Sequence, residues 1–175
     1  LQDYDVRLLV KLGLERRVLV NDFGAVGHAV ASLPQDQFRH LAGPDLPLPE
    51  TGVISVIGPG TGLGVASVVR AGDHYHVIET EGGHVEYPAL DSIEDAILNR
   101  LRRQYTRVSA ERVVSGPGLA AIYQSLAALE GRAVAEVEDA QLWASALDGS
   151  DSLAAAAFER FCLSFGTIAG DLVLA

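Results

Sequence analysis

The stretch Val53-Ile54-Ser55-Val56-Ile57-Gly58-Pro59-Gly60-Thr61-Gly62-Leu63-Gly64-Val65-Ala66-Ser67-Val68-Val69-Arg70-Ala71-Gly72-Asp73-His74-Tyr75-His76-Val77-Ile78-Glu79 decides the fold. It holds three strand-like runs: Val53–Ile57, Gly64–Arg70 and His74–Glu79. Positions such as Ile54 and Val56 alternate with period two, as one face of a strand requires. The turns between the runs are Gly58-Pro59-Gly60-Thr61-Gly62 and Ala71-Gly72-Asp73. Such short connections cannot make parallel crossovers, so the sequence predicts an antiparallel three-stranded meander.

Working outward, residues 34–51 contain four prolines (Pro34, Pro44, Pro47 and Pro49) and read as a loop or linker at a domain boundary. Before it, Phe23, Val26, Val30 and Leu33 have helical spacing, and Arg17 to Val20 is a short β-branched run. A helix is expected over 5–15. After the meander, Ser92 with Asp95 predicts a capping box opening a helix that runs to about Tyr105. A short strand-like run at Arg112–Val114 and a Gly116-Pro117-Gly118 turn follow. Helical stretches are expected near 118–129, 139–147 and 151–175. Strands followed by helices give an α/β class, with an α+β mix.

The chain has 175 residues, 49% of them hydrophobic, enough for a sizeable core. Its formal net charge of −10 argues against nucleic acid and membrane surfaces as partners. No apolar run of membrane-spanning length is read, and Leu1-Gln2-Asp3-Tyr4-Asp5 lacks the pattern of a signal peptide. The single cysteine, Cys162, excludes an intrachain disulfide and a cysteine zinc cage, and fits a cytoplasmic setting. Cys162 lies on the stripe Phe158, Phe161, Phe165, Ile168 and Leu172 and is expected to be buried. Trp143 and the phenylalanines are expected in the core. The chain lacks methionine, and its last helical pattern has no stop signal, so an internal piece of a longer protein is expected.

Four constellations could carry chemistry. The Gly60-Thr61-Gly62 turn offers a nest of N–H groups and a hydroxyl to an anion such as phosphate. It is neither a Walker A loop, lacking Gly-Lys-Ser/Thr, nor a Rossmann fingerprint, since a strand follows it. A lone Gly-rich hairpin is more often just a flexible turn. Asn21-Asp22 at a strand end suits a general base beside an orienting amide, but on local grounds the reading of Asp22 as a helix N-cap is the stronger one. Glu81-Gly82-Gly83-His84 places an acid and an imidazole at one rim, or is a solvated loop. Glu111, in Ser109-Ala110-Glu111-Arg112, is locally a surface glutamate or the partner of Arg112. His28, His40, His74 and His76 have no metal-ligand spacing, and no metal site is expected.

The order of these motifs is more specific than any one of them. Val20-Asn21-Asp22-Phe23, then Gly60-Thr61-Gly62-Leu63-Gly64-Val65-Ala66, then Glu81-Gly82-Gly83-His84-Val85, then Val108-Ser109-Ala110-Glu111-Arg112-Val113 with Ser115-Gly116-Pro117-Gly118-Leu119, resembles the bacterial glucokinase family. Tyr123 fits as well. The resemblance covers nearly the whole chain. It implies a ribonuclease H-like fold in the actin/hexokinase-like ATPase architecture. On it, residues 1–33 would end the smaller N-terminal lobe, 34–51 would be a Pro-rich linker, and 52–175 would belong to the larger lobe, incomplete at its C-terminus. The implied activity is transfer of a phosphoryl group from ATP, with Mg²⁺, to glucose, giving glucose 6-phosphate at the first step of glycolysis.

The resemblance implies Asp22 as catalytic base on the sugar 6-hydroxyl and Asn21 beside it on the sugar. Glu81, His84 and Glu111 would bind other sugar hydroxyls, and Gly60, Thr61 and Gly62 would form the second phosphate loop. A homodimer is compatible with the resemblance. The family's first phosphate loop, of Asp-x-Gly-Gly-Thr type, and its Gly-Gly adenosine segment do not occur in this sequence, so this piece by itself is expected to be inactive. The related sugar repressor/kinase group carries a Cys-rich zinc motif that this chain lacks. The competing class is a non-catalytic sugar-binding or regulatory module of the same fold, and a third is a general phosphate-binding scaffold.

Overall fold

The computed structural model describes Lys11, Gly13, residues 20–135 and residues 137–175. The helix expected over 5–15 and the run Arg17–Val20, apart from Val20 itself, lie outside them. Strands β1 (Thr51–Pro59), β2 (Leu63–Ala71) and β3 (His74–Thr80) form one antiparallel sheet in the order β1-β2-β3. This is the meander that the alternation predicts. Val56 pairs with Ala66 and Ile57 with Val65, and Val65 pairs with Thr80. Both Gly58↔Gly64 and the end of β3 therefore lie at one end of the sheet, where β3 runs into Glu81.

Alternation along the strands supplies two apolar faces. On one, Val56, Ala66 and Val68 pack with Ile54 and Val77 against Phe23, Val30 and Ala31 of α1 (Asp22–Ser32). On the other, Leu63 and Val65 join the main core, built from α2 (Ser92–Leu101), α3 (Gly116–Leu129), α4 (Asp139–Asp148) and α5 (Ser152–Leu174). Residues between α1 and β1 are mostly irregular, with a 3-10 turn at Gln35–Gln37.

Several local expectations are corrected. The cap of α2 is Asp91, whose side chain accepts from the N–H groups of Ile93 and Glu94. Glu94 in turn accepts from the Leu90 N–H at 2.7 Å, so the reciprocal pair sits one residue earlier than Ser92 with Asp95. The helix ends at Leu101, and Arg103 to Tyr105 close it with turn bonds to Arg100 and Leu101 carbonyls. The Glu94 N–H bond, then the Arg160 guanidinium, hold the Asp91 carboxyl below the usual carboxylate range.

The strand-like run at Arg112–Val114 is instead the exit of a 3-10 turn, Ala110–Arg112; Val113 and Val114 are apolar because they are fully buried. Gly116-Pro117-Gly118 is the first turn of α3, capped by the Ser115 side chain on the Gly118 N–H. Proline is tolerated there because a first-turn N–H has no helical partner. A side chain on Gly118 would overlap the Val113 carbonyl.

Phe161 and Ile168 are buried, and Phe158, Phe165 and Leu172 pack against the same core. Trp143 meets Phe158 and Phe161 edge-on, with centroids 5.7 and 5.2 Å apart. Cys162, however, is exposed. It follows Phe161 by one residue, about 100° around the helix, and so leaves the buried stripe. By length and composition α5 does pass for a membrane-spanning helix, with mean hydropathy 1.2, which the sequence reading overlooked. It carries Glu159, Arg160 and Asp171, and packs its apolar stripe against α3 and α4. That is the pattern of an amphipathic helix laid against the core, with residues such as Leu163 on its exposed side.

Candidate functional site

The site is built where β1, β2 and β3 meet two short turns. β3 leads through Thr80 into a 3-10 turn, Gly82–His84. The Thr80 hydroxyl donates to the Val65 carbonyl (3.0 Å) and accepts from the Gly82 N–H (3.2 Å), fixing the entry to this turn. Gly83 is buried, and any side chain there would overlap the Leu63 carbonyl oxygen. The chain then runs beside residues 108–110. Glu86 bridges Ser109, the Tyr87 N–H donates to Val108 O (3.1 Å), and the Ala110 N–H donates to Val85 O (2.8 Å). These bonds set the turn carrying His84 against the turn carrying Glu111.

As a result His84 Nε2 lies 3.6 Å from Glu81 Oε2, and His84 Nδ1 lies 3.5 Å from Glu111 Oε1. The Glu111 side chain is mostly enclosed, at 20% exposure, whereas His84 (55%) and Glu81 (83%) open outward. Glu111 is therefore not paired with Arg112, whose guanidinium instead lies over the Tyr105 ring, 4.3 Å from its centroid. The other Glu111 oxygen faces the hairpin: a Cβ on Gly62 would stand 2.8 Å from Oε2. One carboxylate thus separates the imidazole from the glycine turn.

The turn itself is held by two bonds. Gly60 N–H donates to Gly62 O (2.8 Å), and Gly60 O accepts from Gly116 N–H (2.7 Å) at the start of α3. Among the described residues the N–H groups of Thr61 and Gly62 have no partner. Thr61 is exposed, and nothing stands within 4 Å of a Cβ built on Gly60. The turn therefore presents two backbone donors, a hydroxyl and an open approach, which fits an anionic oxygen cluster such as a nucleotide phosphate. Beyond Glu111 a cleft of about 390 Å³ opens between the turn and α3, lined in part by Thr61, Tyr105, Arg112, Ser115 and Gln124.

Asn21 and Asp22 lie at the same end of the sheet. Phe23 packs over the roots of the hairpin: a Cβ on Gly58 would be 2.8 Å from Phe23 Cζ, and one on Gly64 would overlap the ring. The N-cap of α1 is Asn21, not Asp22; its side-chain carbonyl accepts from the Gly24 N–H. Asp22 is the first helical residue, exposed, and among the described residues its carboxylate accepts only from its neighbour Phe23 N–H, at 2.9 Å on Oδ1. The structure thus brings Glu81, His84, Glu111 and Gly62 into one cluster. It places Asp22 at the adjoining helix start, with no hydrogen bond or ion pair to Glu81, His84 or Glu111.

Two features escape the sequence reading. Glu79 accepts the Asn21 backbone N–H at 3.0 Å, and the only hint is an acid ending a strand two residues before Glu81. The Tyr105–Arg112 stack has no sequence signal at all. Among the described residues no group of three or more His, Cys, Asp or Glu side chains is arranged to hold a metal ion.

A family model described as Glucokinase matches residues 5–175. The glucokinase of Zymomonas mobilis is 56% identical over 165 residues, covering 94% of this chain and 51% of that protein. The glucokinase of Nitrobacter hamburgensis is 39% identical over 167 residues, covering 95% and 52%. The crystal structure of a glucokinase from an Antarctic psychrotroph superposes with a TM-score of 0.79 at 32% identity, over 98% of this chain and 53% of that one. That of Balamuthia mandrillaris glucokinase in complex with glucose gives 0.68 at 21% identity, over 87% and 45%, and shows the shared fold. The chain spans about half the length of the curated relatives it matches.

Proposed function

We propose, for a chain that belongs to the glucokinase family, the role of sugar-binding and phosphate-binding half of an enzyme that moves a phosphoryl group from ATP to the 6-hydroxyl of glucose. The observation that carries this reading is the cluster Glu81–His84–Glu111, whose inner carboxylate also abuts Gly62 of the phosphate-type turn. Sugar hydroxyls need several polar partners at once in a confined place, because any buried group left unpaired is costly. Two carboxylates, each within 3.6 Å of one imidazole, offer such partners, with both acceptors and a ring nitrogen.

In this reading each neighbouring group has a role that its geometry supports. Asn21 uses its side-chain carbonyl as the helix cap, which leaves its amide donors for a sugar oxygen. Asp22 keeps one carboxylate oxygen free to accept the proton of the attacking hydroxyl. Thr61 and Gly62 direct donors at phosphate oxygens, and Gly60 lets the backbone come close. When bound, Mg²⁺ with ATP would neutralise charge on the transferring phosphates. Phosphoryl transfer needs positioning and charge stabilisation more than covalent help, and the cluster and turn serve those two needs. In this reading residues 1–33 close the smaller lobe, 34–51 link, and 52–175 belong to the larger lobe.

The test is sugar-dependent ADP formation by the full-length protein with Mg²⁺ and ATP. The reading expects ADP to form only with hexose present and glucose 6-phosphate to accumulate. Glucose binding without any ADP formation would replace it with a non-catalytic sugar-binding module. Nucleotide binding with no response to sugar would leave only a phosphate-binding scaffold.

A further inference from the structure

β3 carries α1 along one of its faces. Tyr75, Val77 and Glu79 alternate onto that face. The Tyr75 hydroxyl is 3.4 Å from His28 Nδ1 and 3.3 Å from Ser32 Oγ, near the end of the helix. A Cβ on Gly27 would meet Val77 Cγ1 at 2.7 Å, and one on Gly24 would overlap the Glu79 carboxylate. Gly24 and Gly27 are both buried and stand one helical turn apart, so they bring the helix down onto the strand. At the leading end, Glu79 Oε1 accepts the Asn21 N–H at 3.0 Å. One residue beyond Glu79 the strand ends at Thr80, and the sugar-type cluster begins with Glu81.

From this geometry we infer that Glu79 is a positioning residue: its carboxylate locks Asn21, and with it the Asp22 base, to the strand that carries Glu81 and His84. This inference rests on the reading of Asp22 as the base. The Asn21 N–H precedes the first turn of α1 and has no helical partner, so a side-chain acceptor is the means of holding it. A charged acceptor makes a stronger and more directional bond than water. Without it the helix remains packed through Phe23, Val77 and Tyr75, but its leading residue loses a fixed distance to the sugar wall. Catalysis is more sensitive to such a displacement than sugar binding, which loses only the Asn21 contact and keeps those of Glu81, His84 and Glu111.

The test uses the full-length protein with Glu79→Thr, Glu79→Gln and, beside them, Asp22→Asn. Threonine suits a strand but is too short to reach Asn21. Glutamine keeps a carbonyl acceptor at the same reach. Glu79→Thr is expected to lower kcat by about 10- to 100-fold, with the glucose Kd within about threefold of the parent. Glu79→Gln is expected to recover most of the loss, and both variants are expected to melt near the parent temperature. The inference is overturned if Glu79→Thr keeps kcat within about twofold, if its glucose Kd rises as much as its kcat falls, or if Glu79→Gln is no better than Glu79→Thr. An active Asp22→Asn removes the base reading and the inference with it. An inactive Asp22→Asn beside a fully active Glu79→Thr removes the inference alone.

Discussion

His84 Nδ1 stands 3.5 Å from Glu111 Oε1, although the two side chains come from separate 3-10 turns in different parts of the chain. The contact is held by backbone bonds between residues 85–87 and 108–110, and not by a shared helix or strand. Glu111 is also the wall that Gly62 leans on. Its carboxylate is therefore the joint between the sugar-type cluster and the phosphate-type turn.

Replacing that carboxylate should disturb sugar binding first. Glu111→Ala in the full-length protein is expected to raise the glucose KM by about 10- to 100-fold, the range for losing hydrogen bonds to a charged group. Arg112→Ala touches the Tyr105 stack but not the sugar cluster, and is expected to leave the glucose KM within about threefold. Steady-state kinetics with glucose as the varied substrate checks both.

The glycines of the site differ in what surrounds them. Gly83→Ala would drive its Cβ into the Leu63 carbonyl, which is backbone and cannot swing away. A loss of stability of about 1–3 kcal/mol is expected. Gly60→Ala meets nothing within 4 Å, so stability should change by less than about 0.5 kcal/mol while the ATP KM rises. Chemical denaturation of the two variants, with ATP kinetics on the second, makes the comparison.

The sheet was legible because apolar alternation and glycine turns are local signals, and the observed strands extend the runs at Val53–Ile57, Gly64–Arg70 and His74–Glu79 by no more than two residues at either end. Helix ends were less legible. Asp91 and Asn21 cap where Ser92 and Asp22 are equally plausible by residue type, and only the backbone N–H directions decide. The site resisted local reading for a different reason. His84 and Glu111 sit on 3-10 turns and Glu81 just before one, where there is no periodic signature, and their meeting depends on long-range pairing such as Glu86 with Ser109. Cys162 shows the limit of a stripe argument: one residue past a buried phenylalanine is already outside.

Asp151 links α5 to α3 and gives the stability a pH dependence. It caps α5 through the Leu153 and Ala154 N–H groups and accepts the Tyr123 hydroxyl at 3.0 Å. Burial pushes its carboxyl up, but the Ala154, Tyr123 and Leu153 hydrogen bonds together outweigh this and hold it below the usual range. A depressed folded pKa adds stability that is complete above the unfolded value, about 3.9, and is lost as pH falls through the folded value. Asp151→Ala is expected to cost about 1 kcal/mol at pH 7. The gap to the parent should narrow in denaturation curves taken below about pH 4.

The central claim is that Asp22, at the exposed start of α1, removes the proton from the sugar 6-hydroxyl. The direct measurement is kcat of Asp22→Asn in the full-length protein with saturating glucose and Mg²⁺-ATP, alongside the glucose Kd. The account predicts a fall in kcat of about 10²–10⁴-fold, the usual worth of a positioned general base, with the glucose Kd within about threefold. A kcat within about threefold of the parent would contradict it and leave Asp22 as the first residue of a helix and nothing more.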